Sequence, residues 1–422
     1  ILFAGMSSSL GDELSLGVRG ASSSVYGISL HGRDRAFKTT DMVNRGIYHY
    51  SHLLDTLKEI CILKTMNKSE YVVNIYHSVY YGNCIGMVLD MGMVFNTRND
   101  TNEDTMEYYI GGDILTNEIR KQIVTGVCRG VSHLHSIDLV HCDIKPGNIV
   151  AKKGVMRNYT GILIDLECAA KVESNITPHV TLTYQSPEFE KVDDGELPIT
   201  RSMDIWSLGI TIIEIYNGQL GEGNSLVMPL WYREYREYIT YKLNGNDTMV
   251  ASIKEEKYAQ VLLRQGLTRN AKTVAEVKGS VEFRKFLEFL EFLEFDKAVE
   301  TFQSLVDDGV ILDITKQCLE VEFRKFLEFD KAVETFQSLV DDGVILDITK
   351  QCLEVDHGKR IPAADILHML DPKAQSDYNK IVNNTKQHKN NIDTLNKFMD
   401  RYEQAGRLSE ADFNLPSDDQ DI

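Results

Sequence analysis

The sequence predicts an α+β fold of two unequal lobes, a small strand-rich one with a single key helix followed by a larger, mainly helical one. Three observations carry that expectation. From about Leu14 to Asp90, short β-branched or aromatic runs alternate with turn residues, interrupted by one helical stretch from roughly His49 to Met66. From Leu115 onward the period becomes helical, with Ile119, Ile123, Val127, Val131 and Leu134 recurring at spacings of three or four. Between the two regimes, residues 93–105 are polar and rich in turn formers, so they read as a loop.

Composition narrows the class. A chain of 422 residues that is 43% hydrophobic can bury a substantial core. A formal net charge of −18 disfavours a generic nucleic-acid binder, which needs a basic face to displace counterions. Seven cysteines lie scattered without CxxC pairs, as expected of reduced thiols in an intracellular protein, cytoplasmic or nuclear. No apolar run is long enough to span a bilayer, and the start lacks the basic flank and apolar stretch of a signal peptide, so no membrane association is expected.

The expected organisation is an N-terminal extension at 1–13, the small lobe at 14–92, the large lobe at 93–370 and a polar tail at 371–422. Within the large lobe the 30-residue stretch at 292–321 recurs at 326–355, which suggests an insertion with tandem duplication over 292–355. The offset matches a helical-repeat period, but solenoids need three or more units to bury their core. Two identical copies beside the stuttering FLEFLEFLEF tract therefore read as duplication without function; a partner-binding scaffold is the alternative. In the tail, Ile381, Leu395, Phe398 and Met399 form a weak amphipathic stripe, and the terminal SDDQDI is expected to be disordered.

The chemistry concentrates in HCDIKPGNIV at 141–150 and LIDLE at 163–167. Asp143 and Asn148 share one loop, and Asp165 closes the strand that follows. Together they can place oxygen ligands around a nucleotide-bound Mg²⁺. In that arrangement Asp143 takes or orients the proton of a substrate hydroxyl, Lys145 neutralises the transferring phosphoryl, and Asn148 and Asp165 hold metal. Each residue alone would pass for ordinary loop chemistry.

HCDIKPGN resembles the catalytic loop of eukaryotic-type protein kinases, and Lys145, two residues after the aspartate, is the serine/threonine variant. Upstream, residues 16–27 resemble the glycine-rich phosphate loop: with Val25 as anchor, Gly20 takes the middle glycine position, Val18 and Ser23 the outer two, and Gly17 lies nearby. AFK at 36–38 resembles the strand presenting the phosphate-pairing lysine, Lys38, and Glu59 would be its helix partner. Downstream, TLTYQSPE at 181–188 resembles the end of the activation segment. DIWSLGITIIEI at 204–215 resembles the helix whose leading Asp204 bonds the catalytic-loop backbone. DHGKRIPAADIL at 356–367 would supply Arg360 to pair with Glu188.

The resemblance covers roughly residues 14–370 and implies a bilobal protein-kinase-like fold that uses ATP and Mg²⁺ on protein serine and threonine hydroxyls. It also implies nucleotide contacts from Val25 and Ala36 and adenine against the strand at 85–92, with Leu89 as gatekeeper and the backbone of Asp90, Met91 and Gly92 as hinge. Residues 106–114 look like a hinge too, but using them would leave too little chain before the helix at 115.

Two positions depart from the pattern. Cys142 stands where an arginine commonly binds a phosphorylated activation loop, so such phosphorylation is not expected to be required, although Ser174, Thr177 and Thr181 are candidate sites. Glu167 replaces a glycine and adds negative charge near the phosphates. These departures motivate a pseudokinase scaffold as the first alternative. LIDLE also resembles small-molecule phosphotransferases of the aminoglycoside and choline kinase type, against which stand Lys145 and the 181–188 and 204–215 segments. The divergent spelling suggests a rapidly evolving, viral kinase acting in a host cell. Oligomeric state is not fixed by the sequence.

Overall fold

The structure, a computed structural model, describes residues 15–19, 23–44, 47–66, 69–81, 84–95, 109–110, 116–154, 158–175, 178, 181, 184–193, 195, 197–217, 233–264, 272–281, 283–284, 287, 333–340, 342–371, 379, 383 and 389–406. The small lobe opens with β1 (Ser15–Arg19), β2 (Ser23–Leu30) and β3 (Arg33–Asp41), followed by a ribbon of β4 (Val43–Asn44) and β5 (Ile47–Tyr48). Helix α1 (Tyr50–Thr65) comes next, then β6 (Ile75–Tyr81) and β7 (Cys84–Asp90). The main sheet runs β1-β2-β3-β7-β6, antiparallel throughout. Period-two alternation in β3 turns Ala36, Lys38 and Thr40 to one face, and Lys38 and Thr40 are buried there. Helix α1 contacts β3, β6 and β7 and buries Glu59, Ile60, Ile62 and Leu63.

Leaving β7, the chain passes into β8 (Met93–Phe95), which β9 (Tyr109–Ile110) joins in parallel. Helix α2 (Asn117–Ser136) then begins at Thr116, whose hydroxyl accepts from the Ile119 N–H, with Glu118 in the positive first turn. All five apolar residues of the expected stripe are buried along it. After β10 (Leu139–Val140) comes the hairpin of β11 (Ile149–Lys153) and β12 (Tyr159–Leu163), and then β13 (Ala170–Lys171). Helix and hairpin meet without room for side chains: a Cβ on Gly161 would lie 2.2 Å from the Ile123 carbonyl oxygen, and one on Gly126 2.4 Å from that of Gly161. This close approach seats β12 on α2, and Asn148 and Asp165 flank the hairpin in sequence.

The remainder is helical: α3 (Phe189–Asp193), α4 (Arg201–Asn217), α5 (Arg233–Leu243), α6 (Asp247–Arg264), α7 (Val274–Gly279), α8 (Gly343–Cys352), α9 (Ala363–Leu370) and α10 (Lys389–Gly406). One apolar cluster spans both lobes, and a smaller one joins Val140, Cys142, Ala170, Phe189, Val192, Ile199 and Met203. Among the described residues no helix is long and apolar enough to cross a membrane. The six described cysteines are free thiols.

The second repeat copy packs into the large lobe. It supplies α8, capped by Asp342, whose Ile345, Ile348 and Cys352 are fully buried, and Leu353 packs on Gly209 of α4. Burying each large aliphatic side chain contributes about 1.5–3 kcal/mol, so this copy belongs to the core. The first copy, 292–321, lies outside the described residues, as does the terminal SDDQDI. In the tail, α10 packs against α1 with Leu395 and Met399 of the expected stripe buried. Ile381 lies outside the described residues.

Candidate active site

Lys38, at the centre of β3, is almost wholly buried. Its Nζ lies 2.9 Å from Glu59 Oε2, 2.9 Å from Asp165 Oδ1 and 2.9 Å from Glu167 Oε1. Glu59 also turns its other oxygen to the Leu166 N–H at 3.2 Å, tying α1 to the 163–167 segment. Burial alone would lower the Lys38 ammonium, but the three carboxylates outweigh it and hold it well above its ordinary value. Burial, and after it repulsion from Asp165 and Glu167, push Glu59 up to about 7 against the opposing pull of Lys38. For Asp165, burial is overcome by Lys38, leaving the group lowered. One ammonium among three carboxylates leaves an excess of negative charge that suits a divalent cation with its phosphates. The hard carboxylate oxygen of Asp165 fits Mg²⁺, and Glu59 and Glu167 lie in the same acidic cluster.

The 141–148 loop is held from below by Asp204, fully buried at the start of α4. Its carboxylate accepts from the His141 N–H at 2.8 Å, the Cys142 N–H at 2.9 Å and His135 Nε2 at 2.9 Å. These bonds hold Cys142 in the left-handed region, φ 66°, from which the chain presents Asp143. The His141 ring accepts from the Asp143 N–H at 3.3 Å, and its Nε2 lies 3.1 Å from the Ile164 carbonyl, which assigns the ring proton to Nε2. Asp165 is likewise left-handed, φ 62°.

Asp143 collects most of the loop's polar groups. Its Oδ2 accepts from Lys145 Nζ at 2.7 Å and Asn148 Nδ2 at 2.8 Å, and its Oδ1 from the Thr181 N–H at 3.0 Å. Lys145 reaches on to Thr181 Oγ1 at 2.6 Å. Asn148 spends its amide N–H groups on Asp143, so a cation would be met by its Oδ1. The expected Glu188–Arg360 pair is present, bidentate at 2.5 and 2.8 Å and buried, with the guanidinium over the Trp206 ring.

Of the nucleotide-side candidates, Ala36 faces Leu89 and Val25 faces Lys38 in the sheet register. Leu89 is buried, Asp90 accepts from Asn74 and Tyr76, and Met91 and Gly92 lead straight into β8. Gly17 lies in β1, while Gly20 falls outside the described residues. In the competing segment 106–114, only Tyr109 and Ile110 are described, as β9. Among the candidate phosphorylation sites, Ser174 is buried and Thr181 is engaged by Lys145, whereas Thr177 lies outside the described residues.

Sequence reasoning missed several of these contacts. Val150 lies directly against Gly92, where a Cβ would approach Val150 Cγ2 to 2.4 Å; its place two residues beyond Asn148 was the available signal. Glu167 was expected near the phosphates but not on Lys38 itself. Nothing local marked Lys58, Asp400 or Tyr402, whose contacts are taken up below.

With this geometry in view, the comparisons identify the class. The protein kinase domain family matches residues 13–370, and the chain belongs to that family. It is similar to a probable serine/threonine-protein kinase, KIN28 homolog, of Encephalitozoon cuniculi, 28% identical over 171 residues covering 40% of this chain and 50% of the relative. It is similar also to the mitogen-activated protein kinase pmk-1 of Caenorhabditis elegans, 24% identical over 189 residues, covering 42% and 44%. The chain spans about half the length of the curated relatives it matches. A solved kinase domain aligns over 85% of this chain and 93% of its own at 16% identity and a TM-score of 0.46. These relatives lend no support to a viral source.

Proposed function

We propose that the protein is a serine/threonine protein kinase that transfers the γ-phosphoryl of ATP to protein hydroxyls. The observation that carries this reading is the assembled Lys38–Glu59–Asp165 contact, both distances 2.9 Å, beside a loop in which Asp143, Lys145 and Asn148 are mutually bonded. Mg²⁺-bound ATP would supply the activated phosphoryl group. Lys38 orients its phosphates, Asp165 and Asn148 take the metal, Asp143 orients the substrate hydroxyl and receives its proton, and Lys145 offsets charge on the transferring group. The adenine would lie between Val25 and Ala36 above and Val150 below, with Leu89 behind it and Asp90 to Gly92 at its edge.

The engagement of Lys145 with Thr181, and the buried Glu188–Arg360 pair behind that segment, favour a peptide-binding platform over a small-molecule phosphotransferase. One observation favours a second reading, a pseudokinase scaffold: Glu167 sits 2.9 Å from Lys38, where a phosphate oxygen would compete with it. Purified protein with Mg²⁺ and γ-labelled ATP, with and without a generic protein substrate, decides between them. Label on serine or threonine that disappears in Asp143→Ala and Asp165→Ala supports the kinase. ATP binding without label supports the scaffold.

A further inference from the structure

We propose that α10 is a built-in clamp that holds α1, and hence Glu59, in its productive place, with Tyr402 and Asp400 as positioning residues. The inference rests on the kinase reading above. Helix α10 lies beyond the family match, which ends at 370, yet it is amphipathic. Ile392, Leu395, Met399 and Tyr402 recur at spacings of three and four, and Leu395 and Met399 are 1% and 2% exposed. The face they form packs against α1.

The polar contacts are specific. Lys58, the neighbour of Glu59, is 2% exposed. Its Nζ donates to Tyr402 Oη at 3.1 Å, lies 4.3 Å from the Tyr402 ring centroid and pairs with Asp55 at 3.5 Å. The Tyr402 hydroxyl donates in turn to Asp55 Oδ1 at 2.6 Å. A buried ammonium is costly without such partners, so this arrangement of α1 depends on α10 being docked. Two residues earlier, Asp400 accepts from Lys171 Nζ at 2.8 Å. Lys171 is in β13, shortly after Asp165. A single turn of α10 thus grips both the helix that carries Glu59 and the strand that follows Asp165.

The sign of the effect follows from coexistence: α10 is docked while Lys38, Glu59 and Asp165 are in contact, so docking supports the assembled site. Cys142 fits the same picture. At the position where the resemblance leads one to expect an arginine for a phosphorylated loop, its side chain joins an apolar cluster, which leaves the α10 contacts to Lys58 and Lys171 as the polar ties on α1 and β13.

The test uses the full chain with Leu395→Asp, the milder Tyr402→Phe, and Thr394→Ala on the exposed face as control. Hydrogen exchange of the α1 amides is read beside kcat and KM for ATP. Undocking α10 takes the Tyr402 partner from the buried Lys58 ammonium, which should shift the α1 equilibrium by roughly tenfold or more. Leu395→Asp should therefore speed α1 exchange and lower kcat by about that factor, leaving α2 protection and KM for ATP little changed. Tyr402→Phe should fall between it and wild type, and Thr394→Ala should match wild type. Unchanged α1 exchange once α10 itself has lost protection, or a rise in kcat, would overturn the proposal. If the wild type transfers no phosphate, the kinase reading fails and the exchange data alone still decide on the clamp.

Discussion

Asp204→Asn probes the bond set that shapes the catalytic loop. In the native protein Oδ2 serves His141 and His135 while Oδ1 serves Cys142, all within 2.9 Å and away from water. Asparagine keeps one acceptor oxygen and turns an NH₂ group to the other side. With the oxygen retained toward His141 and His135, the Cys142 N–H faces another donor. The loss is one charge-assisted hydrogen bond plus a buried unsatisfied N–H, about 3 kcal/mol together. Cys142 adds to it, since a non-glycine residue in the left-handed region costs about 1 kcal/mol or more and persists only where its surroundings insist. Released from Asp204, the loop should relax and carry Asp143 away from Lys145 and Asn148. Urea unfolding should show a lower midpoint at unchanged slope, equivalent to about 3 kcal/mol. In the transfer assay kcat should fall by about a hundredfold, with KM for ATP changing far less because Lys38 and Asp165 are anchored elsewhere. A stability loss below about 1 kcal/mol, or a KM effect as large as the kcat effect, would refute the reasoning.

Three further outcomes are expected. Burial raises Glu59 to about 7 from an ordinary value of 4.5, so between those values the folded state keeps a proton that the unfolded chain has lost. Its contribution to stability should therefore decline by about 3 kcal/mol as pH rises through that window. Urea melts of Glu59→Gln should lack this part of the slope, and an unaltered slope would count against it. Glu167→Gly removes one of the three acids on Lys38, so fluorescent-nucleotide titration in Mg²⁺ should give about tenfold tighter binding, or roughly 1.4 kcal/mol; weaker binding would mean that Glu167 serves the cation instead. In-frame deletion of 322–355 brings Val321 to Asp356 and offers the identical first copy to the core. The melting temperature should stay within about 4 °C of wild type, a change in stability below roughly 1 kcal/mol; collapse would show that the two copies are not interchangeable.

Much of the fold and site was legible because the relevant signals are local. The stripe from Ile119 to Leu134 becomes the buried face of α2 through helical periodicity alone. Asp143 and Asn148 lie on one loop, so their spacing already implies proximity. Asp204 could be anticipated because a carboxylate leading an apolar helix needs donors, and the donors found are the backbone N–H groups of His141 and Cys142. Lys38 and Glu59 were harder, since the pairing joins a strand to a helix, and there the family resemblance carried the assignment.

The rest was hidden because its meaning depends on distant partners. In isolation Lys58 reads as a solvated helix lysine; its burial follows from Tyr402, 344 residues away in sequence. Tyr402 in turn sits in a segment of polar composition, where four well-spaced apolar or aromatic positions suffice for docking but fall short of a strong periodic signal. The repeat was opaque for the opposite reason: identity between copies suggested redundancy, whereas Ile345 and Ile348 of the second copy are fully enclosed. In the active site, Glu167 could be read as a departure from a motif, but its consequence depends on geometry. Burial first, and repulsion from Asp165 and Glu167 after it, raise Glu59, and the convergence that encloses it joins a strand, a helix and a loop far apart in the chain.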